Sequence, residues 1–146
     1  MRFDVITIFP RVIDSYLGES IIRRARDKKL VQCYAHNLRD FSTDKKHRKV
    51  DDRPYGGGAG MVLGAEAIAR ALAKISKKKR RLVVLFSAAG KRFDAAMAGR
   101  WAKKYDQIVM IAGRYEGVDE RIKKVAKMEE ISIGPYVLTG GELPAL

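Results

Sequence analysis

Ten of the 13 glycines fall in four places: 56–60, 90, 113–117 and 134–141. The last three places follow runs that read as β-strands. In an open α/β sheet the ligand crevice lies at the carboxyl ends of the strands. Glycine there lets a backbone approach a ligand closely. A tight turn explains any one of these glycines, but clustering at three successive strand ends points to a bound small molecule. Two common phosphate cradles are excluded. G-x-G-x-x-G fails because Met61 stands where the third glycine would follow Gly56 and Gly58. The P-loop fails because Gly90-Lys91 runs into Arg92, and Leu85 stands where its first glycine belongs. What remains are loops offering backbone N–H and C=O groups with few charges. Such loops suit the adenine and ribose edges of a ligand.

A second chemistry sits upstream. Lys45, Lys46, His47, Arg48, Lys49 and Arg53 are interrupted by Asp44, Asp51 and Asp52, and Tyr55 with Gly56, Gly57 and Gly58 follows directly. Cations to grip phosphate beside an aromatic, flexible segment suit an RNA loop with splayed bases. A solvated charge run is the ordinary alternative. The run Lys77–Arg81 either adds to the same field or is a polar helix end. Lys and Arg number 30 against 17 Asp and Glu, a net charge of +13. That favours a polyanionic partner, nucleic acid before membrane surface. The one cysteine, Cys33, excludes a disulfide framework within the chain and reads as a small buried hydrophobe in a strand. With two histidines beside it, no zinc site of the usual Cys/His kind can be assembled, and no metal ligand is assigned. No stretch reads as a signal peptide or a transmembrane span, so the expected location is the cytoplasm.

The elements that must position these groups follow from periodicity. A chain of 146 residues, 47% of them hydrophobic, supports one domain with one core. Strands are expected at 5–9, 31–38, 82–86, 108–112 and 131–133, and helices at 11–29, 65–77 and 94–104. In the first helix Ile13, Leu17, Ile21, Ile22 and Ala25 lie near one face, and Asp94 is a plausible N-cap of the third. A short basic helix should start at Asp119. Residues 42–64 have no period and read as a long loop. SAAGKRF (87–93) reads as a turn, and GGELPAL (140–146) as a turn opening a helix that is then missing. Strands alternate with helices, and the central strands are apolar without alternation. The fold class is therefore α/β, a parallel sheet with helices on both faces.

Three long motifs carry a resemblance. VDDRPYGGGAGM (50–61), GRYEGVDER (113–121) and SIGPYVLTGGELPA (132–145) closely resemble the bacterial tRNA (guanine-N1)-methyltransferases, which methylate the guanine next to the anticodon. The opening FDVITIFP and RDFSTDKKHRKVDDRP fit as well. The resemblance implies a SPOUT fold with a C-terminal trefoil knot, S-adenosyl-L-methionine as donor, tRNA as substrate and a homodimer with the active site at its interface. It implies that the donor is held by Leu85, Phe86, Ser87 and Gly90; by Gly113, Tyr115 and Glu116; and by Ile133, Gly134, Pro135, Tyr136, Val137, Leu138, Gly140 and Gly141. Lys45, Lys46, Arg48, Lys49, Arg53, Tyr55, Gly56, Gly57 and Gly58 would meet the RNA. Glu116 is also linked to guanine placement and to Mg2+.

Ala59, Ala88, Ala89 and Pro135 depart from the family pattern, and Pro135 removes a backbone donor within the third loop. The resemblance further implies that residues 1–146 are the SPOUT domain alone, cut short of the knot-closing helix, the linker and the C-terminal RNA-binding domain. The linker carries the family's aspartate general base, which is therefore expected beyond Leu146, and no catalytic base is assigned within the chain. By itself such a chain is expected to bind the donor weakly or not at all and to be inactive. Two other readings stand beside this one: a basic RNA-binding module without activity of its own, and a SPOUT methyltransferase acting on rRNA.

Overall fold

The structure, a computed structural model, describes residues 1–54 and 56–146. In chain order the elements are β1 (Arg2–Thr7), α1 (Pro10–Leu17), α2 (Ser20–Asp27), β2 (Gln32–Asn37), a 3-10 turn (Leu38–Phe41), β3 (Asp51–Asp52), β4 (Val62–Leu63), α3 (Ala65–Lys74), β5 (Arg81–Arg92), α4 (Ala95–Lys104), β6 (Gln107–Ile111), α5 (Ile122–Val125), β7 (Glu129–Ser132) and α6 (Glu142–Ala145). Five strands form one sheet in the order β2-β1-β6-β5-β7, and every pairing is parallel. β3 and β4 form a separate antiparallel pair. Among the described residues no helix is long and apolar enough to cross a membrane.

The continuous apolar strands are explained by burial on both faces. Val83 and Leu85 of β5, with Val109 and Ile111 of β6, pack against Ile68, Ala71 and Leu72 of α3 and Ile122 of α5. Their neighbours Leu82, Val84 and Ile108 face the other way, onto Met97 and Trp101 of α4. Further along that second face, Val5 and Ala112 meet Ile13 of α1. Asp94 caps α4 as expected, its carboxylate accepting from the Met97 N–H at 2.6 Å.

Four expectations change. The single helix over 11–29 is two helices. Gly18 caps α1 by donating to the Asp14 carbonyl at 3.0 Å, and Ser20 takes a left-handed φ of 50°. Ile21 is 72% exposed, so no apolar face runs through both helices. SAAGKRF is not a turn between elements. β5 continues through it, with Phe86 and Lys91 both registering on Ile131, so 87–90 form an excursion within one strand. A one-turn helix does follow Gly141, capped by Leu146, whose N–H donates to the Leu143 carbonyl at 3.2 Å. Pro144 sits in its first turn, where a missing N–H removes no intrahelical bond. Cys33 is in a strand but only half buried, and burial pushes its thiol pKa up, which disfavours the thiolate.

One polar network lies inside. The Asp4 carboxylate on β1 is fully buried. It accepts from Arg2 at 2.7 and 2.8 Å, from His36 Nε2 at 2.8 Å and from Gln107 Nε2 at 2.7 Å. Burial alone would raise its pKa. The hydrogen bonds from His36, Arg2 and Gln107 outweigh that and hold it well below the usual carboxylate value. A carboxyl depressed by folding stabilises the fold above its unfolded pKa, and that contribution is lost as pH falls through the folded value. Stability should therefore drop on acidification below about pH 4. Asp4→Asn should cost about 3 kcal/mol at neutral pH and flatten that acid slope, as read by urea unfolding between pH 2 and 7. An unchanged slope in the variant would assign the acid sensitivity to other carboxyls.

Candidate functional site

The carboxyl ends of β6 and β7, with the excursion inside β5, open onto a cavity of about 300 Å³. That volume falls at the lower end of small-ligand sites. Three loops line it. From the first come Leu85, Phe86, Ser87 and Ala88; from the second Gly113, Arg114, Tyr115, Glu116, Gly117 and Val118. The third contributes Ser132, Ile133, Gly134 and the run Tyr136–Gly141. The structure thus brings together nearly the whole expected donor set. Gly90 and Pro135 stand outside it. A Cβ on Gly90 would lie 2.5 Å from the Ile131 nitrogen, so Gly90 is required where β5 rejoins β7. Pro135 is exposed and does not line the cavity.

The third loop is held at both ends. At its start the Ser132 hydroxyl donates to the Gly134 carbonyl at 2.8 Å and accepts from the Gly134 N–H at 3.2 Å. The Tyr136 ring lies directly over Gly134, where a Cβ would be 2.2 Å from Cε1. At its end the Gly141 N–H donates to the Gly113 carbonyl at 2.8 Å. Next to it Glu142 is buried at 5% exposure, and its Oε1 accepts from Thr7 Oγ1 at 2.7 Å. Its other oxygen has no hydrogen bond, but the Arg114 guanidinium approaches to 3.5 Å. Arg114 also reaches Thr139 at 3.4 Å and stacks on Phe9 at 4.9 Å. It therefore ties the second loop to the third. Sequence reasoning passed over Arg114, Thr139 and Glu142. They lie inside the quoted motifs, but nothing in their spacing reveals that Thr7, 135 positions upstream, completes the group.

The glycine segment reaches the rim of the same cavity. The Glu116 N–H donates to the Met61 carbonyl at 3.0 Å, and Val62 bridges to Tyr115. A Cβ on Gly60 would lie 2.6 Å from Glu116 Cγ. Tyr115 itself holds a left-handed φ of 60°, a conformation that disfavours a bulky residue and collects at functional sites. Gly56, Gly57 and Gly58 are exposed with φ of 97°, 91° and 122°. Tyr55 lies outside the described residues.

Lys45, Lys46, Arg48, Lys49 and Arg53 do not line the cavity. Their segment is organised by Asp44, whose carboxylate accepts from the Lys46 and His47 N–H groups at 3.0 and 2.9 Å. Arg48 pairs with Asp40, and Lys49 approaches Asp52 at 3.6 Å. Part of the positive run is thus neutralised within the chain. Of the acids near the motifs, Asp119 is held below its ordinary pKa by the Arg121 guanidinium, which contacts both carboxylate oxygens. A carboxylate so stabilised is a poor proton acceptor. Leu146 is no part of the site. Its side chain is apolar and exposed, and it does not line the cavity.

A parallel sheet with three glycine-bearing loops converging at its carboxyl ends defines an α/β protein with a strand-end ligand site. Residues 1–146 match the family described as tRNA (Guanine-1)-methyltransferase TrmD, and the chain belongs to that family. Among curated relatives named tRNA (guanine-N(1)-)-methyltransferase, that of Synechococcus sp. (strain RCC307) is 48% identical over 145 residues, covering 99% of this chain and 60% of the relative. The Dictyoglomus turgidum protein is 49% identical over 146 residues, covering 100% of this chain and 58% of the relative. The Enterococcus faecalis protein is 46% identical over 149 residues, covering 100% and 59%. The chain thus spans well under two thirds of the length of these relatives.

The loop packing makes a prediction about Gly141. Its Cβ would fall 2.6 Å from Ala112 Cα, a backbone atom, whereas a Cβ on Gly140 meets the side chains of Glu142 and Arg114. Gly141→Ala should cost about 2 kcal/mol and lower Tm by several degrees. Gly140→Ala should cost less, because side chains yield more readily than backbone. Equal losses in thermal unfolding would show that backbone contact does not set this packing.

Proposed function

We propose that this chain provides the S-adenosyl-L-methionine pocket, and part of the tRNA grip, of an enzyme that methylates N1 of the guanine next to the anticodon. The observation that carries this reading is the convergence of two family motifs, 113–121 and 132–145, on one cavity, with the third, the glycine segment, at its rim. We read residues 1–146 as a SPOUT methyltransferase domain. The tight seating of 139–142 against 112–114 supports a knotted path there. The expected homodimer would cover the apolar groove formed by Phe9, Val12, Leu138 and Leu143 beside the cavity. A tRNA-modifying role fits the cytoplasm.

S-adenosyl-L-methionine supplies a methyl group made electrophilic by its sulfonium. The loop backbones would hold the adenine and ribose edges, and Phe86, Tyr136 and Leu138 would supply apolar walls. Guanine N1 carries a proton that must leave as the methyl arrives, so a base within hydrogen-bond reach is required. Asp119 is unsuited to that role by its pairing with Arg121. Glu116 orients the guanine rather than deprotonating it, held in place by its contact with the glycine segment. The Mg2+ expectation rests on resemblance alone. Among the described residues no group of three or more His, Cys, Asp or Glu side chains could hold an ion.

Calorimetry with S-adenosylhomocysteine tests the reading directly. Because the third loop is held at both ends, the chain should bind it saturably, against the expectation from sequence, and Leu138→Ala should weaken binding about tenfold, the equivalent of about 1.4 kcal/mol. Absence of saturable binding, with tRNA still bound, would overturn the enzyme reading in favour of a basic RNA-binding module.

A further inference from the structure

In a parallel sheet all strands start at one end, and here that end is basic. Lys28 and Lys29 precede β2, Lys77–Arg80 precede β5, Lys103 and Lys104 precede β6, and Lys127 precedes β7. All of these residues are exposed. The connections touch one another. Arg80 Nη1 donates to the Lys103 carbonyl at 3.2 Å, the Asp106 N–H to the Arg80 carbonyl at 2.8 Å, and the Arg2 N–H to the Asp106 carbonyl at 2.9 Å. The terminal amine reaches the Leu30 carbonyl at 3.4 Å, which carries the surface on to β2. Neighbouring strands lie about 4.8 Å apart, so the patch spans about 20 Å.

Two ordinary explanations fall short. Cations in a helix's last turn offset its dipole, which accounts for Lys103 and Lys104. It does not account for Lys77–Arg80, because α3 ends at Lys74 and Ile75 is already extended. A loose solvated run fails for a second reason. The segment is fixed from within by Gln107, which is fully buried. Its Oε1 accepts from the Lys78 N–H at 3.0 Å, and its Nε2 donates to the Ser76 carbonyl at 2.9 Å while also binding Asp4. The backbone of the run is thereby anchored and its side chains are displayed outward. Asp106 is engaged by Arg80 at 2.5 Å, and Lys77, Lys78 and Lys79 have no ion-pair partner among the described residues.

We propose that this strand-start end is a second RNA-binding face, one that meets phosphates without regard to sequence. It lies about 15 Å from the donor cavity, the length of the five residues Arg81–Leu85. It would therefore hold a stretch of RNA other than the one presented at the cavity. Its chemistry is that of positioning contacts, exposed ammonium groups against phosphate oxygens, with no group suited to reading a base.

The test measures binding of a tRNA and of an unrelated 20-base-pair RNA duplex by fluorescence anisotropy across salt concentrations. The triple variant Lys77→Ala, Lys78→Ala, Lys79→Ala should weaken both RNAs about tenfold or more at 0.1 M salt. It should lower the log–log salt slope by about one for each lysine that meets a phosphate. The triple arginine variant at the same positions should bind as the parent does, and S-adenosylhomocysteine affinity should stay constant in both. An unchanged salt slope would overturn the proposal. So would an arginine variant as weak as the alanine one, or a loss confined to tRNA bearing the target guanine. Binding of the parent to phosphatidylserine vesicles, with RNA affinity unaffected by the alanine changes, would assign the face to a membrane surface instead.

Discussion

The Gly141 N–H meets the Gly113 carbonyl at 2.8 Å, with the Gly141 Cα packed against Ala112, so the third loop has no room for a side chain there. This close approach of two backbones governs the cavity. It brings residues 133–141 across the ends of β5 and β6 rather than away from them. It also carries Glu142 into the interior, where the Thr7 hydroxyl donates to it and Arg114 supplies the opposing charge. Burying a carboxylate is costly unless it is paired and hydrogen-bonded. Glu142 has one strong hydrogen bond and one looser ionic contact. The position of Arg114, and with it the second loop, is thus fixed by the same packing that fixes the third.

The two ends of the sheet are built on opposite electrostatic terms. At the carboxyl end the loops offer backbone groups and few free charges, a setting for a small ligand that must be enclosed. At the amino end, helix C-termini and the segments after them gather cations beside a buried anionic centre. Asp4 stays ionised there because three donors satisfy it, and one of them, Gln107, also shapes the outer segment through Ser76 and Lys78. The interior network and the exposed charge are therefore one construction. Loss of the Gln107 amide would release the backbone of the basic run as well as uncover the carboxylate.

The strands were legible in the sequence because two-faced burial demands apolar runs such as Leu82–Leu85 and Ile108–Ile111. The glycine loops were legible by their place after those runs. Two local forms were misread, one because a distant strand decides it and one because a local cap breaks an apparent stripe. SAAGKRF has turn residues, yet Ile131 on a neighbouring strand recaptures Lys91 and keeps the segment in β5. The break at Gly18 and Ser20 was hidden because Ile21 and Ile22 continue an apparent apolar stripe, which only the solvent exposure of Ile21 denies. The Thr7–Glu142 pair could not be read from motif spacing at all, since it joins the first strand to the last helix. Of the expected site, the side chains of the three loops came together. The cations of 45–53, expected to meet RNA rather than the donor, stand apart from that cavity in a stretch organised by Asp44, Asp40 and Asp52.

The glycine segment and the second loop cannot move independently. Met61 and Val62 are joined to Tyr115 and Glu116 by backbone pairing, and Gly60 lies against the Glu116 side chain. Tyr115 is held left-handed within that junction. A left-handed conformation costs a non-glycine residue about 1–2 kcal/mol and persists only where its surroundings enforce it. The enforcing contacts here come from the glycine segment on one side and from the strand end on the other. A ligand that tightens the second loop would therefore steady residues 60–62, and one seated against residues 60–62 would act back on Tyr115. Coupling of this kind is reciprocal in free energy. The fold thus joins the glycine segment to the second loop of the cavity through Tyr115.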